Sequence, residues 1–405
     1  MMSSRVLAAD LPRYVGARVR VAGWVHRRRR LKSVTFVVVR DRSGLAQVVL
    51  RGAAPPEETV VEVHATVSAN PRAPGGVELT EPVVETLAEA VPPPFDLYRP
   101  AVTASLPAIL DHAPVALRHP ALKERFAVAA AAVRGFRSTL DSRGFTEVHT
   151  PKIVASATES GGCVFGIDYF GRPAYLAQSP QFFKQALVGV FERVYEVGPV
   201  FRAEPHDTAR HLAQYTSLDV ELGFIRDHHD VMAVLREVLA GMSDPALVTV
   251  PEEIPEIHFA AAVDLLEADP REPDLAPAHE RALSEWARRE HGSDFLFVTG
   301  YPMAKRPFYT HPDPARPRYS NSFDLLFRGV ELVTGGQRLH RHADYLAVLG
   351  DAAPEYADYL QAFAHGMPPH GGFAIGLERW TARLLGAANV REVTLFPRDL
   401  HRLTP

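Results

Sequence analysis

Cysteine is almost missing from this chain of 405 residues, with Cys163 standing alone. A single thiol excludes structural disulfides within the chain and cysteine-rich zinc sites. His340, Arg341 and His342 have no His-Glu-x-x-His pattern beside them, so they read as solvated or core side chains rather than a metal centre. No run of 18 apolar residues occurs, and the start Met-Met-Ser-Ser-Arg lacks the apolar core of a signal peptide. The expectation is a cytoplasmic protein with no membrane partner. A Gly-x-x-x-x-Gly-Lys-Ser/Thr sequence is absent too, which excludes a P-loop.

What is present is charge, unevenly placed. The net charge is -4, yet residues 1–70 hold twelve Lys or Arg against five Asp or Glu, a balance of +7 that leaves -11 for the remainder. A basic amino-terminal module on an acidic body suits a polyanionic partner docked at one end. From Arg18 to about Val84 the pattern is five short strands: Val19 to Val25, Thr35 to Arg40, Ala46 to Leu50, Val60 to Ser68 and Val77 to Val84. Turns fall at Asp41-Arg42-Ser43-Gly44 and at Pro74-Gly75-Gly76. This predicts an all-β OB-fold barrel over residues 1–90, whose open face binds oligonucleotides. Arg27 to Lys32 places five cations in six residues, and Phe36 follows as a candidate stacking platform for unpaired bases. A surface charge run beside a core Phe has the same pattern.

Residues 91–119 are proline-rich and aperiodic, which reads as a semi-rigid hinge before a second domain over residues 120–405. After Pro120, Leu122, Phe126, Val133, Phe136 and Leu140 recur at helical spacing, Gly144 suits the C′ stop, and Phe145 to Val148 begins a strand.

The chemistry concentrates between Gln178 and Phe224. Ser217 to Phe224 alternates apolar and polar residues as a half-buried strand does, so Asp219 and Glu221 point the same way. Arg202 and Glu204 close an apolar run from Val194 to Phe201, so a second strand can present a cation and a carboxylate together. The loop between them carries His206, Arg210 and His211, and the whole makes a polyphosphate cradle of guanidinium forks. An ordinary hairpin with a solvated charged face would look the same. Further on, Ser322 to Glu331 reads as two strands around Gly329, bringing Asp324 and Glu331 within reach of one ion. Hard oxygen ligands beside a triphosphate imply Mg²⁺.

Taken in order, these stretches resemble the class II aminoacyl-tRNA synthetases. Phe201-Arg202-Ala203-Glu204, the loop, Arg210-His211-Leu212 and Asp219-Val220-Glu221 resemble motif 2. The helix after Pro120 with its strand to Pro151 resembles motif 1, which implies a homodimer, although periodicity alone fits a surface helix on its own sheet equally well. His370-Gly371-Gly372-Phe373-Ala374-Ile375-Gly376-Leu377-Glu378-Arg379 resembles motif 3. Gln178 to Gln185 is similar to the amino-acid-binding segment of the aspartyl enzymes. Gly23 to Arg29, Phe36, Arg40 to Gly44 and Gln47 are similar to the anticodon-binding domain shared by aspartyl, asparaginyl and lysyl enzymes. The short gap between motifs 2 and 3 and the ending Phe396 to Pro405 resemble the shorter archaeal-type aspartyl form.

The resemblance implies an α+β catalytic domain, an antiparallel sheet with flanking helices, that uses ATP to attach L-aspartate to tRNA through an aspartyl-adenylate. It implies Arg202 on the α-phosphate, Glu204 on the adenine amino group, Tyr215 stacked on adenine, and Arg210 and Arg379 on the outer phosphates. His211, Leu212 and Gly376 complete the nucleotide site. Asp219 and Glu159 face the substrate ammonium, while Lys184 and Arg338, with Gln181 nearby, face its β-carboxylate. Asp324, Glu331 and Thr334 approach the metal, Thr334 also bordering the amino acid, and Arg202, Arg379 and Glu331 are the catalytic charges. His26, Arg27, Arg29, Phe36, Gln47 and Pro74 are the implied anticodon contacts. His at 26 and Pro at 74 resemble members that charge both tRNA(Asp) and tRNA(Asn), which implies a tRNA-dependent amidotransferase downstream. The chain departs from the family at Arg30 and Lys32, where Asp and Gly are usual, and at Ser160, where Gly is usual. An asparaginyl enzyme shares every motif, but Lys184 adds a cation useful for a carboxylate and not for an amide. A paralogue without tRNA charging and an inactive RNA-binding protein are the other readings.

Overall fold

Alternating valines shape the first unit, which ends at Lys123. The structure is a computed structural model and describes residues 4–156, 163–269 and 271–405. Strands β1 (Arg18–Arg30), β2 (Thr35–Arg40), β3 (Leu45–Leu50), β4 (Val60–Ala69) and β5 (Val77–Ala88) form a closed barrel in the order β1-β2-β3-β5-β4. Every second residue points inward, so Val21, Val39, Val48, Val63, Ala65 and Leu79 are all within 1% of complete burial. The Asp41 carboxylate fixes the turn after β2, accepting from the backbone N of Ser43 at 2.7 Å and of Gly44 at 3.0 Å.

Two expectations change in this unit. The first strand runs on through Arg30, because the ladder with β2 continues to Arg30 opposite Thr35 after the apolar alternation has stopped at Val25. The basic run is therefore strand rather than loop up to that point. Within the stretch read as aperiodic lie helices Leu106–Asp111 and Ala113–Ala116, with Leu97, Leu110 and Ala116 buried. Pro107 and Pro114 each sit in the first turn of a helix, where a missing N–H costs nothing; proline opens these helices instead of breaking them.

The second unit runs from Glu124 to Thr404. Its first strand, β6 (Thr146–Glu147), precedes a separate three-stranded sheet of β7 (Ile153–Val154), β8 (Gly166–Tyr169) and β9 (Arg172–Leu176). Then come β10 (Arg193–Phe201), β11 (Gln214–Gly223), β12 (Glu256–His258), β13 (Phe295–Thr299), β14 (Ser322–Phe327), β15 (Val330–Gln337) and β16 (His370–Gly376). With β6 they make an eight-stranded sheet in the order β12-β13-β14-β15-β16-β11-β10-β6, antiparallel except where the edge strands β12 and β6 pair in parallel with β13 and β10.

Helices Pro120–Ser142 and His228–Met242 cover one face, packing Phe136, Leu140, Val231 and Leu235 on Leu218, Val220 and Phe373. The opposite side of β10 and β11 carries helix Gln181–Phe191. Strand β11 thus sits at the centre, and every residue from Ser217 to Gly223 is buried. The half-buried reading of that strand fails, because its polar side chains face other protein groups instead of water. No helix among the described residues is long and apolar enough to cross a membrane.

The two covering helices touch backbone to backbone. A Cβ added at Gly135 would lie 1.9 Å from the carbonyl oxygen of Gly241, an atom that cannot swing away. We expect Gly135→Ala to push the helices apart and cost about 1–3 kcal/mol, read as an earlier midpoint in urea denaturation; a midpoint equal to the parent's would mean that the helices slide freely.

Candidate active site

Asp219 and Glu221 leave β11 on one side, 1% and 0% exposed. Carboxylates so deep need partners, and helix Gln181–Phe191 supplies the first: Lys184 Nζ lies 3.1 Å from Asp219 Oδ1 and 3.3 Å from Glu221 Oε2. The second comes from just past β15, where Arg338 Nε donates to Glu221 Oε1 at 3.0 Å and Nη2 to the Gly372 carbonyl at 3.0 Å. The Arg338 guanidinium lies over the Tyr309 ring, 5.5 Å from its centroid. Burial pushes the Glu221 carboxyl up, but the charges of Arg338 and Lys184 outweigh it and hold the group below its ordinary 4.5. Gly372 makes room: a Cβ there would stand 2.1 Å from Glu221 Oε2. Two cations and two anions therefore form a closed floor.

Above this floor opens a cavity of about 390 Å³. Gln181, Lys184, Asp219, Thr334 and Arg338, the residues expected to face the amino acid, line it beside the floor. The Gln181 Nε2 is buried without a hydrogen bond, a donor in want of an acceptor. Arg202, Glu204, Arg210, His211, Leu212 and Tyr215 line the other end, with Glu331, Gly376 and Arg379 facing them. All but two of the residues expected for amino acid, nucleotide and metal share this one cavity. The exceptions are Glu159, which lies outside the described residues, and Asp324.

At the other end of the cavity the expected strand stops short. The β10–β11 ladder closes at Phe201 opposite Gln214, so Arg202 and Glu204 belong to the loop, with Arg202 Nη1 4.0 Å from Glu204 Oε1. Their side chains still meet in the cavity. Arg210 Nη1 donates to Glu280 Oε2 at 3.2 Å, and Arg379, on helix Leu377–Leu385, donates to the Glu331 carbonyl at 2.8 Å. Burial, with Arg379 and Arg210 close by, holds the His211 imidazole below 6.5 and hence neutral at pH 7.

Strands β14 and β15 form the expected hairpin, with Asp324 directly opposite Thr334. Thr334 Oγ1 donates to Glu331 Oε1 at 3.2 Å. Asp324 is buried behind the wall, paired with Arg306 Nη2 at 3.0 Å, and it is Arg306 that reaches the cavity. Burial raises the Asp324 carboxyl to about 7; Arg306 opposes this and Glu331 adds to it. Glu331 and Thr334 offer hard oxygen donors to the cavity, the kind a divalent cation takes, while Asp324 can join them only where Arg306 gives it up. Another group, Asp227, His228 and His229, places ligand atoms within 4.8 Å of one another. There His229 already bridges carboxylates, 3.1 Å from Asp227 and 3.5 Å from Glu256, and its hydrogen bond to Glu256 lifts it to about 9.

In the barrel, Arg27 pairs with Val38 and Arg29 with Phe36, so both arginines share the outer face with the half-buried Phe36. Gln47 Nε2 donates to Glu78 Oε2 at 3.0 Å, and Pro74 opens the short turn Pro74–Gly76 between β4 and β5. His26 sits where the register slips between Val25 and Arg27, a bulge that leaves one residue without a ladder partner. It is only 7% exposed, with Nδ1 2.9 Å from Arg40 Nη1, and burial with the Arg40 charge drops it to about 4. Residues 92–98, assigned from sequence to the hinge, line with it a cavity of about 330 Å³.

Comparison with known proteins agrees with this geometry. Residues 107–400 match the family model described as tRNA synthetases class II (D, K and N), and residues 19–87 match that of the OB-fold nucleic acid binding domain. The chain belongs to the class II tRNA synthetases. The synthetase is 46% identical to the aspartate–tRNA(Asp/Asn) ligase of Thermus thermophilus, over 99% of this chain and 100% of that one. It is 45% identical to the ligase of the same name from Deinococcus radiodurans, over 99% of each chain. In fold it superimposes on the asparaginyl-tRNA synthetase of Pyrococcus horikoshii complexed with asparaginyl-adenylate, with a TM-score of 0.91, 29% identity and full coverage of both chains.

Sequence reasoning left three residues of this synthetase site without a role. Glu221 was visible at two residues from Asp219, yet nothing in the pattern says that it joins both cations. Glu378 lies beside Arg379, and its half-buried carboxylate accepts from Thr216 N at 3.0 Å. Arg306 comes from a stretch with no motif, and only the fold brings it to Asp324.

Glu221→Gln keeps the volume but leaves the two buried cations short of one negative charge, so it should cost about 3–5 kcal/mol at pH 7. The sign with pH follows from a carboxyl held below 4.5 in the folded chain. Its contribution is complete above 4.5 and fades as pH falls further, so urea titrations should show the gap between parent and variant narrowing from pH 5 downward. A constant gap would mean that lost packing, not charge, sets the cost.

Proposed function

We propose that this chain attaches L-aspartate to tRNA, first forming aspartyl-adenylate from aspartate and ATP. The observation that carries this is the charge balance at the amino-acid end. Asp219 can turn to a substrate ammonium, which leaves Lys184 and Arg338 facing the single charge of Glu221. One positive charge then lacks a partner, and the β-carboxylate of aspartate supplies it. Asparagine would fill the space and leave that charge uncompensated.

At the other end, the reading puts Arg202 on the α-phosphate, Glu204 on the adenine amino group and Tyr215 on the adenine face, with Arg210 and Arg379 on the outer phosphates. An oxygen of the substrate α-carboxylate attacks the α-phosphorus, the bond to the bridging oxygen breaks, and pyrophosphate leaves with that electron pair. No side chain need act as a base, since the nucleophile is already an anion. The protein's share is positioning and charge. Glu331 and Thr334, with Asp324 once Arg306 gives it up, would hold Mg²⁺, which when bound would neutralise and orient the triphosphate. A hydroxyl at the tRNA 3′ end then attacks the acyl carbon and releases AMP. Glu159, by resemblance, closes over the ammonium. The resemblance of helix Pro120–Ser142 to motif 1 supports a homodimer, and a cytoplasmic setting accords with the substrates.

Both tRNA(Asp) and tRNA(Asn) are charged on this reading. Their anticodons differ in the last base, C against U, whose edges offer an amino donor or a carbonyl acceptor. Pro74 has no backbone or side-chain donor to read that edge, and relatives at 45% and 46% identity are named for both tRNAs. The Asp-tRNA(Asn) so made would be substrate for a tRNA-dependent amidotransferase.

ATP–pyrophosphate exchange tests the amino acid. We expect aspartate to be preferred over asparagine by at least about a hundredfold, and Arg338→Ala to lose aspartate-dependent exchange while still binding ATP; unchanged exchange in that variant would sink the assignment. For the tRNA, kcat/KM for the two transcripts should agree within about tenfold, whereas a preference of about a hundredfold for tRNA(Asp), worth about 2.7 kcal/mol, would show that another contact reads the base.

A further inference from the structure

Glu280 belongs to no motif and sits on helix Pro277–His291, in a stretch whose sequence carries no chemical signal. It is nevertheless only 5% exposed, and one of its oxygens serves two donors of the active-site wall. Oε2 accepts from Arg210 Nη1 at 3.2 Å and from the backbone N of Glu331 at 2.9 Å. The β14–β15 register slips there, Leu325 facing Val333 and Leu326 facing Glu331 so that Leu332 is passed over, and the Glu331 N–H is taken by Glu280. The Glu331 carbonyl is held from the other side by Arg379 at 2.8 Å.

The neighbourhood is crowded with guanidinium groups. Arg383 has its pKa lowered by burial and by the charges of Arg210 and Arg379, and Glu280 acts against that. A carboxylate bonded to Arg210 also competes with any phosphate that wants the same fork.

We propose that Glu280 is a positioning residue of the phosphate end, a stand-by counter-ion that holds Arg210 until a polyphosphate displaces it and reclaims Arg210 as pyrophosphate departs. The same oxygen fixes Glu331 through its backbone. This rests on the adenylation reading above, but assigns a role to a residue that the reading does not use.

The test compares Glu280→Gln and Glu280→Ala with the parent, in ATP–pyrophosphate exchange and in calorimetric titration with inorganic pyrophosphate. The glutamine keeps an acceptor for Glu331 N and removes only the charge. It should tighten pyrophosphate binding and lower KM for ATP by about threefold to tenfold, the scale of one partly exposed charged contact, with KM for aspartate unchanged. Alanine also frees Glu331, so its kcat should fall at least about tenfold below that of the glutamine variant. In an Arg210→Ala background, Glu280→Gln should no longer affect pyrophosphate. If Glu280→Gln folds poorly, Glu280→Asp, which withdraws the carboxylate, must shift pyrophosphate binding in the same direction. Pyrophosphate affinity within about twofold of the parent, or equal changes in KM for ATP and aspartate, would overturn the proposal while leaving the adenylation reading intact. A parent without aspartate-dependent exchange would end both.

Discussion

A fully buried glutamate between two cations is the constraint on which the rest of this structure turns. Glu221 has no exposed surface, and it reaches Lys184 on one oxygen and Arg338 on the other. A buried ion pair is weak evidence for stability, since desolvation offsets most of its attraction. What it supplies is placement. Lys184 comes from a helix, Arg338 from the end of β15 and Glu221 from the central strand, so three elements distant in sequence are fixed to one another by charge that cannot be left unpaired. The cavity above inherits its shape from that agreement.

The same habit extends across the wall. Arg210 rests on Glu280, Arg306 on Asp324 and Arg379 on the Glu331 carbonyl. A site built to receive phosphates and carboxylates would repel itself if its cations stood alone. An anion entering such a site would have to exchange partners with these acceptors, so that the affinity gained would be a difference between two sets of contacts.

Much of this was legible in the sequence, for physical reasons that differ from residue to residue. The two-residue spacing of Asp219 and Glu221 placed them on one side of a strand, and the barrel followed from valines at every second position. The burial of β11 on both sides was not legible, because the residues that cover Asp219 and Glu221 come from the helix at 181–191 and from Arg338. Prolines misled in the stretch up to residue 119, where Pro107 and Pro114 start helices. Arg306 and Glu280 were silent because their partners are set by the sheet order, which brings β14 and β15 between β13 and β16. The superposition on an asparaginyl enzyme at 29% identity shows how little of amino-acid choice resides in the fold. It resides in which side chains face the cavity.

Gly372 ties two positions of the chain to a common fate. With a Cβ there only 2.1 Å from Glu221 Oε2, no side chain at 372 can coexist with the glutamate as it stands. Shortening residue 221 to aspartate would not admit a side chain at 372, since the Val220 carbonyl oxygen is also 2.1 Å from that Cβ, and it would draw the carboxylate back from Arg338, whose Nη2 also depends on the Gly372 carbonyl. A side chain at 372 meets the backbone as well as the glutamate, and a change at 221 leaves two buried cations short of charge. The floor of the cavity is thus fixed twice over, at 372 by the room a backbone leaves and at 221 by the charge that two cations require.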